Sequence, residues 1–238
     1  MGSNPTILAF DTSAAHCAAA LLSGGQIVAE AREEMARGQA ERLTPMLQDL
    51  LDQQGVVWRE IDAIGVGTGP GNFTGIRVSV ATARGLSLGL GIPAIGVSAF
   101  EALLGNEGLA IPGPQLVSLA QPRREGFVMV QLFENGSASG LPFEQQVLRS
   151  DGPSEPPKLP EGTRFVGAEA AALHRIFAER RGWQGSIDLP APAHPASAIA
   201  PIAAARFEAG WKGPRPAPIY IRPPDAAPAK DAPPVMLA

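Results

Sequence analysis

The most informative pattern in the chain is a short apolar run that leads into a glycine-rich loop and then into a stretch of small residues. Ile61 to Val66 form the apolar run, and glycines follow at 65, 67, 69, 71 and 75. Apolar runs of this length beside glycine clusters are typical of buried strands. Asn72 and Thr74 can each cap a helix, so we predict a strand, a tight turn and a helix over 75–90. A helix N-terminus after such a turn favours anions.

The predicted structural loop consists of Gly67, Gly69, Pro70, Gly71, Phe73, Thr74 and Gly75. It is not a P-loop, because no lysine occurs between Met1 and Pro157. It is not a dinucleotide fingerprint either, because the third glycine position falls on Pro70, Asn72 or Thr74. Two interpretations remain: the glycines let a helix lie close to a sheet, or they form a surface for a ligand or partner.

The remaining first-half pattern predicts a hairpin and two further helices. Apolar runs at 6–12, 16–22 and 26–34 predict three strands, the last two joined by the Ser23–Gly25 turn. Apolar residues at helical spacing predict an amphipathic helix over 39–52. A strand at 93–97 and a helix from Ser98 to about Leu104 follow. This order predicts a mixed sheet with helices on its faces.

The second half has the pattern of a weaker copy. Strands are predicted at 115–120, 127–133, 145–149 and 164–166, and helices at 169–181 and 197–209. The segment 151–162 contains four prolines and is predicted to be a loop. The tail is Pro-rich, and its Ile-Tyr-Ile triad at 219–221 is a candidate strand.

Five blocks of the sequence, in the right order, resemble the TsaB (YeaZ) family. They are GTGPGNFTGIR at 67–77, ILAFDTS at 7–13, ERLTP at 41–45, IPAIGVSAFEAL at 92–103 and PIYIRPPDAAP at 218–228. The resemblance implies an α/β, actin-like (ribonuclease H-like) fold with two related β-β-β-α-β-α halves and mixed sheets. It also implies three parts: an N-terminal subdomain over 1–104, a degenerate C-terminal subdomain over 105–222, and a mobile Pro-rich tail over 223–238.

Composition and charge restrict the function classes. The 238 residues are 45% hydrophobic and include one cysteine, Cys17, which excludes a disulfide framework and fits a core thiol in a reducing cytosol. With no leader or membrane-length apolar run, we expect a cytoplasmic protein. The net charge is −4, and the densest basic groups are the pairs Arg123–Arg124 and Arg180–Arg181. Direct tight binding to a phosphate backbone needs a larger patch, so we expect another subunit to provide most tRNA contacts.

The sequence lacks the two acidic turns that phosphotransfer needs in this fold. Actin-like phosphotransferases have an acidic turn after the first strand of each half; here the first turn retains Asp11 without a glycine, and the second, 120–124, has no acid. We expect Asp11 to hydrogen-bond its own backbone.

The sequence also lacks the motifs expected for a metal site or for a nucleophilic serine. In the related catalytic protein TsaD a His-x-x-x-His pair binds metal, but here Ala99 and Leu103 occupy the matching positions. No two of His16, His174 and His194 lie within a helical turn; we expect His16 in a strand and His174 facing solvent. No Gly-x-Ser-x-Gly motif supports a nucleophilic serine or the peptidase label of the broader family.

A binding surface is the remaining candidate. The small-residue helix carries Arg77, Ala81, Arg84 and Leu88 on one stripe, and small residues there let another helix approach closely. From the residues alone, an ordinary solvated face is the alternative. The resemblance implies that this helix and the helix at 39–52 form both a homodimer and a heterodimer interface. The candidate interface residues are Arg42, Met46, Arg77, Ala81, Arg84 and Leu88. Gln39 and Thr44 depart from the family pattern, where histidine and leucine are common.

The resemblance thus predicts a non-catalytic scaffold subunit. It would dimerise with TsaD, which modifies adenosine 37 of tRNA, with the ATPase TsaE as a further partner and tRNA bound only through the complex. No cofactor is expected in the isolated chain, and a nucleotide at the TsaD interface is left open. The alternatives are an autonomous small-molecule kinase or hydrolase, and a tRNA-binding module.

Overall fold

The first half of the molecule is a five-stranded mixed sheet with helices packed on it. A computed structural model describes residues 4–121, 124–147, 158–181, 187–188 and 194–221. The strands of this half are β1 Ile7–Asp11, β2 His16–Ser23, β3 Gln26–Glu34, β4 Ala63–Gly67 and β5 Ala94–Val97. Its helices are α1 Gln39–Gln54, α2 Phe73–Leu90 and α3 Ala99–Ala110, with a 3-10 turn at Trp58–Glu60.

The second half repeats this plan with a second five-stranded sheet. Its strands are β6 Pro114–Ala120, β7 Phe127–Glu134, β8 Ser137–Gln146, β9 Arg164–Gly167 and β10 Ile187–Asp188. Its helices are α4 Ala170–Arg181 and α5 Pro195–Glu208. No helix in the described part of the chain has the length and apolarity needed to span a membrane.

The two sheets have the same topology. The first has the strand order β3-β2-β1-β4-β5, and the second has the equivalent order β8-β7-β6-β9-β10. In each half, the first three strands pair antiparallel as a meander, and the last two add parallel beyond the first strand. This duplicated arrangement confirms the predicted actin-like fold class.

Each half gives its last helix to the other sheet. Helix α5 follows β10, yet Ile199, Ile202 and Ala203 pack on the first sheet against Ile7 and Ile95. Helix α3 follows β5, and its apolar side chains pack on the second sheet; this cluster joins Phe100 and Leu104 to Val117, Met129, Phe133 and Val166. The outer faces are covered by α1 and α2 in the first half and by α4 in the second. The two sheets are therefore bound together by a shared helical layer.

Strand β8, helix α3 and residues 219–221 differ from the sequence predictions. Strand β8 begins at Ser137, well before the predicted strand at 145–149, whose last two residues lie outside the described part. Helix α3 continues to Ala110, but Gly105 inside it has φ 63°, so the predicted end at Leu104 coincides with a kink. Residues 219–221 form no strand; Ile219 makes a single backbone hydrogen bond to the Thr68 carbonyl, 2.9 Å long.

The predicted subdomain boundary at 104/105 falls at that kink inside α3. The predicted tail, 223–238, lies outside the described residues, so both parts of the domain division remain predictions.

Candidate functional site

The glycine-rich loop connects β4 to α2 and begins the helix with a side-chain cap. Gly69 has φ 83°, a left-handed conformation that glycine adopts without strain. Asn72 is the N-cap: its Oδ1 accepts hydrogen bonds from the backbone N–H groups of Thr74 and Gly75, at 3.0 and 3.2 Å. Of the two predicted caps, the structure selects Asn72. Because this side chain uses N–H groups that would otherwise face an anion, the helix start is closed rather than open.

The loop glycines are required by the backbone that passes beside them. A Cβ added at Gly71 or Gly75 would come much closer than 3.0 Å to backbone carbonyls of the turn after β1, a separation that real Cβ atoms essentially never show. A Cβ added at Gly67 would come equally close to the carboxylate of Asp11 at the end of β1. The turn is hydrogen-bonded to the loop at the same place: the Asn72 N–H donates to the Ser13 carbonyl at 2.5 Å. The geometry therefore favours the first interpretation of the sequence, in which glycine permits a close backbone approach.

Asp11 is buried at the start of this turn, and its Oδ1 carries the contacts that hold it there. Its Oδ1 accepts hydrogen bonds from the Ser13 N–H at 3.0 Å and from the Ser13 hydroxyl at 2.9 Å. His16 Nε2 lies 2.8 Å from the same oxygen. The prediction that Asp11 bonds its own backbone is confirmed. The His16 contact crosses from the turn to β2 and had no signal in the sequence.

The equivalent turn of the second half offers no carboxylate of its own. Gln121 and Arg124 both bond to Glu144 on β8, at 3.0 and 2.8 Å. Pro122 and Arg123, which belong to the predicted turn and to the predicted basic pair, lie outside the described residues. Glu144 is thus held on the sheet by two side chains of the turn.

The histidines are dispersed through the fold. His16 is buried in β2, as predicted for a strand residue. His174 was predicted to face solvent, which is wrong: its ring is half-buried on α4 and meets the Phe165 ring edge-on, 5.6 Å between centroids. His194 is the N-cap of α5, and burial lowers its pKa. Over the described ranges, no group of three metal-ligating side chains is close enough to hold an ion.

Cys17 lies on β2 in the core of the first half, as predicted for a core thiol. Burial, with a smaller contribution from the carboxylate of Glu33, raises the pKa of its thiol to about 11. A thiol with such a pKa is almost entirely protonated at neutral pH and is a poor nucleophile.

The predicted stripe on α2 lies at the surface. Arg77, Ala81, Arg84 and Leu88 are all exposed, and the side chain of Leu88 is 83% exposed. Two glycines extend the stripe, since a Cβ at Gly85 or Gly89 would meet no atom within 4 Å. We call these six residues the α2 surface. The structure brings the four predicted α2 residues together, and it leaves room for close approach of another backbone.

The predicted residues on α1 occupy different environments. Met46 is only 1% exposed and packs in the core with Leu43, Leu47 and Leu50. Its assignment to a helix surface is therefore corrected, because the side chain is on the apolar face that α1 turns towards the sheet.

Arg42 is half-buried at the edge of α1. Its guanidinium donates two Nε contacts and an Nη2 contact to Glu33 on β3, and an Nη1 contact to Asp49. Hydrogen bonding to Arg42 lowers the pKa of Glu33. Of the two departures from the family pattern, Gln39 bonds the Met35 carbonyl at 3.1 Å and Thr44 is exposed. Arg42 thus fastens α1 to β3 as well as standing near the surface.

A segment close to the end of the described chain lies along α2, and sequence reasoning missed it. We call residues 216–221 the strap. Arg84 Nε donates to the Pro216 carbonyl at 2.8 Å, and Arg77 Nε donates to the Tyr220 hydroxyl at 2.9 Å. The sequence separations are 132 and 143 residues, so no local pattern could have signalled these contacts.

The sequence of this chain is similar to those of proteins named for the modification of tRNA. The family model "TsaD: tRNA N6-adenosine threonylcarbamoyltransferase" matches residues 26–142. The tRNA threonylcarbamoyladenosine biosynthesis protein TsaB of Escherichia coli (strain K12) is 42% identical over 92 residues, 39% of this chain and 39% of that protein. TsaB of Bacillus subtilis (strain 168) is 29% identical over 192 residues, 80% of this chain and 82% of that protein.

A solved structure resembles the whole arrangement. It is a Pseudomonas aeruginosa protein described as similar to the peptidase YeaZ, with a TM-score of 0.63 and 27% identity, covering 92% of this chain and 100% of that one. In contrast, the match to the Escherichia coli protein spans only 39% of its length, and a match to TsaB of Haemophilus influenzae spans 42% of its length.

Proposed function

Because this chain belongs to the TsaB (YeaZ) family, we propose that it serves in threonylcarbamoyladenosine formation in tRNA as a non-catalytic subunit. In this proposal it dimerises with TsaD through the α2 surface and holds TsaD in an active arrangement. The transfer to adenosine 37 belongs to TsaD, TsaE joins the complex, and tRNA is bound only through the complex. The chain pairs with itself when TsaD is absent.

The observation that carries this proposal is the exposure of the α2 surface. Leu88 is 83% exposed between Gly85 and Gly89, which leave open space above the helix backbone. An exposed leucine alone is ordinary on a protein surface. Here it lies beside two glycines and Ala81, so a second helix can pack with its backbone close and bury Leu88 against it.

The state of Asp11 supports the non-catalytic part of the proposal. A carboxylate that positions a metal-bound phosphate needs free oxygen lone pairs facing the ligand. The Oδ1 of Asp11 is occupied by Ser13 and His16, its Oδ2 lies against Gly67, and the residue is only 4% exposed. Closure of the α2 N-terminus by Asn72 argues in the same direction.

The test compares two exposed leucines. Leu88→Asp places a charge on the α2 surface, and Leu141→Asp does the same on β8 of the other sheet, where Leu141 is 88% exposed. Binding of each purified variant to TsaD from the same organism is measured by size-exclusion chromatography and calorimetry. Reconstituted modification of tRNA by TsaD and TsaE is measured in parallel.

We expect Leu88→Asp to weaken TsaD binding at least ~10-fold, since a buried unpaired charge at an interface centre is costly, and to lower tRNA modification accordingly. Leu141→Asp should behave as wild type. Equal binding by both variants would contradict the assigned surface. ATP turnover by the isolated chain that disappears in Asp11→Asn would contradict the non-catalytic role and favour an autonomous kinase or hydrolase.

A further inference from the structure

The strap builds a cluster of two aromatic rings and an arginine at the beginning of α2. The guanidinium carbon of Arg77 lies 3.7 Å from the centroid of the Phe73 ring, and the Phe73 and Tyr220 rings are 5.1 Å apart. Arg77 Nε donates to the Tyr220 hydroxyl. We call Phe73, Arg77 and Tyr220 the cation–aromatic cluster. Two different interactions thus fix the orientation of one exposed guanidinium.

The strap that carries Tyr220 is itself well anchored. Ile219 donates its N–H to the Thr68 carbonyl, and the Pro216 carbonyl accepts from Arg84. Pro216 is buried, and Ile221 packs against the core cluster formed by α3 and the second sheet. Tyr220 is nevertheless 40% exposed. The cluster is therefore a fixed part of the surface rather than a loose cover over α2.

The positive charge of this region has no acidic counterpart nearby in the sequence. Neither 73–90 nor 209–221 contains an aspartate or glutamate, whereas the two segments together contain Arg77, Arg84, Lys212 and Arg215. Among the described residues, neither Arg77 nor Arg84 forms an ion pair. The Nε of Arg77 is used by Tyr220, and in the described part its terminal nitrogens make no hydrogen bond. These terminal nitrogens are the donors that grip a carboxylate in two-point fashion.

From this geometry we propose that the cation–aromatic cluster is a docking point for a carboxylate side chain of the partner protein on the α2 surface. The inference rests on the proposed function, in that the partner is TsaD. Tyrosine, arginine and other aromatic residues are enriched among the side chains that carry most of an interface's binding energy. Because Arg77 is already oriented, binding loses little side-chain entropy. The cluster forms the polar end of the α2 surface, and Leu88 forms its apolar end.

A phosphate of RNA could in principle bind the same guanidinium, but a protein carboxylate fits the observations better. Phosphate-backbone binding rests on many cations along a track, while 73–90 and 209–221 together contain only four cations. The cluster also adjoins the exposed small and apolar residues Ala81, Gly85 and Leu88 of the α2 surface, which suit a protein face.

The experiment uses full-length chain and TsaD from the same organism, and it measures the dissociation constant at low and high NaCl. Arg77→Glu reverses the charge, Arg77→Lys keeps the charge but removes the planar fork, and Tyr220→Phe removes only the hydroxyl. Arg175→Glu is the matched control, since Arg175 is an exposed arginine on α4 of the other sheet. Urea denaturation of each variant checks that the fold is retained.

We expect Arg77→Glu to weaken TsaD binding at least ~10-fold, Arg77→Lys and Tyr220→Phe to weaken it ~3-fold or more, and Arg175→Glu to have no effect. The loss of binding at high NaCl should be smaller in Arg77→Glu than in wild type. Wild-type binding by folded Arg77→Glu, with loss in Leu88→Asp, would overturn this inference and leave the proposed function standing. No TsaD binding by the wild type would overturn both. If Arg77→Glu removes binding of a tRNA transcript by the isolated chain and leaves TsaD binding intact, the site is a phosphate site and the inference is wrong.

Discussion

Two glycines of α2 should respond in opposite directions to replacement by alanine. Gly75 lies in the first turn of the helix, and a Cβ there would collide with the backbone carbonyl of Thr12. That carbonyl belongs to a turn held by several hydrogen bonds and cannot move alone. Gly85 lies two to three turns further along the same helix, where a Cβ would meet no atom within 4 Å.

The magnitudes follow from these surroundings. Alanine at Gly85 gains helix propensity of about 0.5–1 kcal/mol, with no packing cost. Alanine at Gly75 gains at most the same amount. It also incurs about 1–3 kcal/mol for overpacking and about 1 kcal/mol for disturbing the 2.7 Å hydrogen bond from the Thr12 hydroxyl to the Gly75 carbonyl. We therefore expect Gly75→Ala to be net destabilising by about 1–3 kcal/mol and Gly85→Ala to be stabilising.

Urea denaturation followed by circular dichroism measures both variants against wild type. With a slope of about 2–3 kcal/mol/M for a chain of this size, Gly75→Ala should lower the midpoint by about 0.3–1.5 M and Gly85→Ala should raise it slightly. A Gly75→Ala midpoint at or above that of wild type would refute the close-approach argument. Equal losses in both variants would mean that the helix needs glycine for another reason.

Further predictions concern single side chains. Cys17 should resist iodoacetamide in the native protein at pH 8 and react readily in urea, because it is buried and its thiol pKa is raised to about 11; rapid native labelling would contradict this. Burial lowers the pKa of His194, so the unfolded chain binds its proton more readily and the free energy of unfolding should decrease as the pH falls below about 6.5. His194→Asn replaces the capping ring nitrogen with an amide oxygen and should flatten that decrease, which urea titrations at pH 5 and 7 would show. Asn72→Ala should cost about 0.5–2 kcal/mol and Asn72→Ser much less, measured in the same way. Alanine at both Gly85 and Gly89 should weaken TsaD binding while leaving the fold intact, and unchanged affinity would count against close helix approach.

Local pattern was sufficient for most of the first half of the fold. Strand β3 has the predicted bounds, Gln26–Glu34, because a Gly-Gly turn marks its start. Strand β8 was placed too late because Ser137 to Gln146 contains glycine, proline and few β-branched residues. It is an edge strand that forms through backbone pairing with β7, including a register shift, and such pairing leaves little trace in composition.

In the candidate site too, local features could be predicted from the sequence and long-range contacts could not. Exposure of Arg77 and Leu88 followed from helical periodicity, which fixes the face of an element. The tethering of Arg77 to Tyr220 and the pairing of Asp11 with His16 depend on how distant segments meet. No single-sequence pattern encodes those meetings. Met46 shows a related weakness, since a residue on an amphipathic helix was assigned to its outer side although its spacing matched the apolar one.

The exchange of terminal helices between the sheets has a consequence for how the protein comes apart. The helix that covers the inner face of each sheet belongs, in sequence, to the other half. A fragment ending near residue 110 would therefore leave Ile7, Ala9 and Ile95 exposed to water. Unfolding of either half should remove the helix that covers the sheet of the other half and so expose that sheet's apolar residues. Despite its duplicated plan, the molecule should therefore unfold as one cooperative unit.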